Sequence, residues 1–182
     1  MPVGTRHALS VQDVKINIMK KFLFFVVIAL VLTGCNSNDP MKRIEKLEKQ
    51  AFATEKAIDP KVASDLVSAY CDFADANPSD AMAPEYLFKA VDVSMNINEP
   101  QRTIYIIDKL LKEYPEYPRT QAALFVKAFI FETRYNNLDM AKKIYEQYLV
   151  QYPNGEFAND CRASIENLGL SPEELVKKFE SL

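Results

Sequence analysis

The chain has 182 residues, 48% hydrophobic and 26% charged, with a net charge of −3, which describes a globular chain of one domain or one domain plus a short segment. That balance excludes a disordered, collagenous or polytopic protein. With one His, no Trp, three Cys and four Gly, it has little material for a Ser/His/Asp or Cys/His mechanism, a His-containing zinc site or a Gly-rich phosphate loop, so the composition argues against an enzyme.

Residues 1–18 (MPVGTRHALSVQDVKINI) carry Asp13 and no hydrophobic periodicity, and read as an extension ahead of a true start at Met19. From Met19 the chain runs MKKFLFFVVIALVLTGC. Lys20 and Lys21 form a basic opening, and Phe22 to Leu32 is an apolar run of 11, far short of the roughly 20 residues a spanning helix needs. The run ends in Leu32-Thr33-Gly34-Cys35, which resembles the lipobox of bacterial lipoproteins. The resemblance implies a signal peptide over 19–34 that is cleaved, and a Cys35 whose thiol takes a diacylglycerol and anchors the chain to a membrane. Residues 35–40 then form the lipidated Cys and a polar tether. Asn36 is not an inner-membrane retention Asp, and no acidic run follows Cys35; both point to the inner leaflet of an outer membrane, with the domain in the periplasm. The remaining chain has no His, and of the glycines only Gly155 and Gly169. It holds 18 basic and 24 acidic residues, the basic ones scattered, which argues against nucleic acid as a partner.

Residues 41–182 form the folded domain. Asn77-Pro78, Tyr114-Pro115 and Tyr152-Pro153 place their prolines 37 and 38 residues apart, and each interval divides into two helix-length blocks. A charged helix from Lys42 to Lys56 comes first, with Ile44, Leu47 and Ala51 on its apolar side. Asp59-Pro60 opens the next, with Val62, Leu66, Tyr70 and Phe73 inward. A third helix spans about Pro84 to Ile97. The fourth starts at Pro100 and turns Ile104, Ile107 and Leu111 inward. Thr120 to Tyr135 places Leu124, Ala128 and Phe131 on one face, while AALFVKAFIF within it is apolar nearly all round, implying burial on more than one side. Asn136-Asn137 breaks that helix and caps the next, which buries Ala141, Ile144, Tyr145, Tyr148 and Leu149. Phe157, Cys161, Ile165 and Leu168 lie on a seventh helix ended by a left-handed Gly169. Ser171-Pro172-Glu173-Glu174 is a capping box for an eighth that buries Leu175, Phe179 and Leu182.

Ala141, Tyr145 and Pro153 have the spacing of the small residue, aromatic and closing proline of a tetratricopeptide (TPR) repeat, and Leu124, Ala128 and Phe131 occupy its first-helix positions. The chain therefore resembles TPR proteins, with one extra residue in the Arg134 to Leu138 turn and Thr103 where the small Ala belongs. Its longer period and Tyr-Pro turns are similar to the repeats of BamD-type and CpoB-type envelope proteins. The resemblance implies an all-α solenoid of about four TPR-like hairpins, with a four-helix bundle as the structural rival.

Cys71 and Cys161 fall in the first and last hairpins and read as buried free thiols. The acidic residues are dispersed, with no metal or cofactor pattern. Tyr114, Tyr117 and Tyr152 read as packing plugs beside the prolines, or alternatively as a sugar-stacking platform. In the TPR register Phe88, Asp92 and Met95, and then Phe125, Phe129 and Glu132, face the concave groove. Such a groove suits a peptide with apolar anchors and a basic residue; the alternative is that the phenylalanines fill the core. The expected role is a non-catalytic, membrane-anchored adaptor for an envelope protein, in outer-membrane protein assembly or Tol-Pal and cell-wall coordination. The other candidate role is glycan or ligand capture.

Overall fold

The computed structural model describes residues 39–53 and 57–181. Among them are eight α-helices and no strand: α1 (Pro40–Ala51), α2 (Pro60–Ala76), α3 (Met82–Asn96), α4 (Pro100–Glu113), α5 (Thr120–Thr133), α6 (Leu138–Gln151), α7 (Ala158–Asn167) and α8 (Pro172–Glu180). From α1 to α7, each helix packs chiefly on its neighbours in the chain.

Local chemistry sets the helix ends. The Asp59 carboxylate accepts the Lys61 and Val62 N–H groups, with Pro60 opening α2. Asn137 Oδ1 accepts the Met140 N–H at the start of α6. Ser171 and Glu174 form the reciprocal box expected for α8. The helices before the three prolines stop alike: the N–H groups of Asn77, Tyr114 and Tyr152 donate to Phe73, Leu110 and Tyr148, and their φ/ψ values are −133/56, −133/57 and −132/64. Each turn then closes with the same two bonds, shown in the middle one by Tyr117 N–H to Tyr114 O and Thr120 N–H to Tyr117 O, both 3.0 Å. Proline supplies no N–H for the helix and keeps the preceding residue out of the α region, so Asn-Pro and Tyr-Pro produce the same turn at all three places.

The turns after α3 and α5 pass through Asn98 (φ 56°) and Asn136 (φ 48°), left-handed conformations that asparagine tolerates. Glu99 N–H reaches back five residues to Ser94 O, whereas Asn137 N–H reaches back six to Phe131 O. The extra residue read from the sequence is taken up there. Gly169 ends the turn after α7 at φ 82°, as expected of a left-handed cap.

The core consists of two clusters that meet on α5. Ala123 and Ile130 belong to the one built from α1 to α4; Leu124 and Ala128 belong to the one shared with α6 and α7. That double duty explains the helix's all-round apolarity.

Several inward faces differ from the expected ones. On α4 the buried residues are Thr103, Ile106, Ile107 and Leu110, with Ile104 and Leu111 half-buried. Thr103 tolerates full burial because its hydroxyl donates to Glu99 O and lies 2.9 Å from Ser94 Oγ, so a face that looked polar turns inward. On α5, Ile130 is buried while Phe131 is half-buried beside Tyr135. Val62, Leu149 and Leu175 are also half-buried, and α8 has no buried residue among those described. The first helix ends at Ala51 instead of Lys56, which lies outside the described residues, as do Leu182 and the Phe179 side chain.

Candidate functional site

Three of the six expected groove residues come together. Phe125, Phe129 and Glu132 of α5 line an open depression of about 480 Å³ with Asp160, Ala163, Ser164 and Asn167 of α7 and Leu175 of α8. Phe129 is 41% exposed, so a large aromatic surface is left to solvent. Phe125 is half-buried and forms the floor: its ring stacks on Phe157 at 4.8 Å and meets Tyr145 at 5.7 Å. Glu132 accepts a hydrogen bond from the Tyr145 hydroxyl at 2.7 Å, which fixes the carboxylate at the rim. Burial, reinforced by that carboxylate, raises the Tyr145 pKa and keeps the phenol protonated. The lining holds two acids and no cation.

The α3 residues are arranged differently. Phe88 lies beneath the Arg119 guanidinium, 4.7 Å from the ring centre, and beside Tyr117 at 6.5 Å; Met95 packs onto the first core cluster. Asp92 remains at the surface, yet its surroundings remove enough water to hold its carboxyl above the ordinary range, against the pull of Arg119 and with a push from Glu85. The α3 residues line no part of the α5/α7 depression.

Two partners in this arrangement were not foreseen from the sequence. Arg119 and Phe157 each stand four residues after their unit's proline, and each covers the phenylalanine, Phe88 or Phe125, ten residues after the preceding proline. Superposing the proline-phased units would have shown that correspondence. Asp160 and Leu175 carried no such signal, since α7 and α8 lie in the least regular part of the pattern.

The tyrosines serve the fold. Tyr114 donates to Pro78 O at 3.0 Å and Tyr117 to Glu85, and both rings pack on the first cluster, as Tyr152 does on the second. Tyr70 donates to Glu48 at 2.7 Å, and Lys89 reaches the same carboxylate at 2.9 Å. Burial pushes the Glu48 carboxyl upward, but these two bonds outweigh it and hold the group below its ordinary pKa.

Residues 19–36 match the family described as the prokaryotic membrane lipoprotein lipid attachment site. The chain is a membrane-anchored lipoprotein. Cys35 is the one cysteine within the matched stretch and lies outside the described residues. Among the described residues of the lipoprotein, no helix is long and apolar enough to cross a membrane, and no three His, Cys, Asp or Glu side chains are grouped to hold a metal ion.

The lipoprotein's other two cysteines are free thiols. Cys161 is fully buried in the second cluster, whereas Cys71 is only half-buried, against the first. Burial pushes both from 9.0 to about 11. The neutral thiols therefore add stability in full below pH 9, and that contribution is lost as pH rises through 11. At pH 8 iodoacetamide should modify them about 100-fold more slowly in the folded protein than in urea, because the thiolate is the reactive form. Equal rates, or a reduction-dependent gel shift abolished by Cys71→Ser, would show that the thiols are not held this way.

Proposed function

We propose that this lipoprotein is a non-catalytic adaptor of TPR-like hairpins, lipidated on Cys35, held at the outer membrane with its domain in the periplasm, and used to hold a protein partner of the cell envelope. The repeat reading is supported by the three turns whose dihedrals agree within a few degrees and by the two left-handed asparagines in matching places. The partner-binding reading rests on one observation: the depression between α5 and α7 joins an exposed phenylalanine to two acids with no neutralising cation in its lining. A peptide that presents an apolar side chain next to Lys or Arg matches it in shape and charge. Glycan capture gains no support from Tyr114, Tyr117 and Tyr152, whose rings are packed against the core.

Phe129→Asp is the cleaner probe, because Phe125 also supports the fold through Phe157. Crosslinking in native envelopes should recover at least one partner about tenfold less with Phe129→Asp, and a further loss is expected with Asp160→Lys. Unchanged recovery of every partner with both variants would remove the depression as a binding site.

A further inference from the structure

Among the described residues, the helix next to the lipid anchor has a face with no partner. On α1, Ile44 and Ala51 are buried against the first core cluster, and directly opposite them Lys42, Lys46 and Lys49 stand at i, i+4 and i+7, all exposed. Lys42 and Lys46 form no ion pair among the described residues, and Lys49 meets only the exposed Glu45 of its own helix. The other acid of α1, Glu48, is taken by Tyr70 and Lys89. The helix thus carries four basic and two acidic residues, whereas the rest of the chain after Cys35 carries 14 basic and 22 acidic. Phe52, just past the helix, leaves 59% of its surface exposed.

Covalent reach brings this face to a membrane. Four residues separate Cys35 from Pro40, so even a fully extended tether keeps the start of α1 within about 17 Å of the lipidated cysteine. The helix is itself about 18 Å long. The start of α1 is therefore held close to the headgroups, its far end can fold down onto them, and its charge is opposite in sign to that of the domain behind it.

We infer that the Lys42, Lys46 and Lys49 face of α1 docks on an anionic phospholipid surface, laying the helix along the membrane and turning the acidic remainder of the domain away from it. The inference rests on the lipid anchor at Cys35. Attraction of lysines to an anionic leaflet acts over about a Debye length, roughly 10 Å at 0.1 M salt, and the tether is short enough that the lysines visit that range often. A like-charged body is repelled from the same surface, so the two effects select one orientation. A second copy of the chain pairing through the same face is a poorer occupant, because it would set lysine against lysine.

The test uses the full lipidated protein in vesicles of phosphatidylcholine, alone or mixed with phosphatidylglycerol, and maps lysine acetylation by mass spectrometry after flotation. Lys42, Lys46 and Lys49 should be labelled about fivefold less in the anionic vesicles at low salt, and high salt should restore labelling. Lys142 and Lys143 of α6 should be labelled equally in both. In Lys42→Glu/Lys46→Glu, Lys49 should lose its protection. Equal labelling of the three lysines in both floating vesicle types, or a Lys49 still protected in the variant, overturns the docking and leaves the anchor intact. A chain that floats with neither vesicle overturns the anchor and the docking together.

Discussion

Gly155→Val is expected to lower the stability of the folded domain by about 3 kcal/mol, a fall in melting temperature of roughly 10 °C. The cause is space. A Cβ on residue 155 would lie 2.5 Å from the Tyr148 hydroxyl, 2.7 Å from Gln121 Oε1 and 2.9 Å from Tyr152 Cβ. The Tyr148 hydroxyl has no room to retreat: its ring is fully buried, it donates to Gln121 Oε1 at 3.1 Å, and it accepts the Phe157 N–H at 2.9 Å. Gln121 is held in turn by the Glu156 N–H. The corresponding place, two residues after the proline, is Asp80 in one turn and Tyr117 in the next. Those turns accept a side chain because Phe73 and Leu110, which stand where Tyr148 does, carry no hydroxyl. Tyr148→Phe should therefore relieve part of the Gly155→Val cost, leaving a coupling of about 1 kcal/mol in a double-mutant cycle followed by thermal unfolding. Strictly additive losses would show that the hydroxyl and the glycine are unrelated.

Cys35→Ser is expected to abolish incorporation of labelled palmitate and to remove the protein from the membrane fraction. Each methylene of a buried acyl chain contributes about 0.8 kcal/mol, so the two chains of a diacylglycerol hold the protein far more firmly than any surface contact does. Serine offers no thiol to alkylate. The apolar run of 11 residues before it is too short to serve as a spanning helix in its place. Palmitate retained by the variant would mean that another residue carries the lipid.

Much of the fold was legible because prolines and caps act locally. Tyr114-Pro115 and Tyr152-Pro153 stop their helices whatever packs around them, and the Ser171 box forms within one turn. Buried faces depend on the neighbours a helix acquires, and there the reading slipped: α4 rotates toward Thr103 because Ser94 waits across the turn with a matching hydroxyl. The candidate site divided along the same line. Phe125, Phe129 and Glu132 sit at helical spacing on α5 and could be grouped by counting. Phe88 cannot be recognised as covered from its own helix, because its cover, Arg119, comes from the start of the next unit and emerges only when the units are superposed on their prolines. Asp160 and Leu175 complete the depression from helices whose apolar spacing points only to their own packing.

The two-sided packing of α5 also bears on how the protein comes apart. Ala123 and Ile130 bind this helix to one half of the core, and Leu124 and Ala128 bind it to the other, so neither half can release α5 without stripping the partner half of a wall. One short helix therefore transmits the loss of either cluster to its neighbour. A row of hairpins otherwise free to fray unit by unit from its ends is tied at its middle into a single cooperative body.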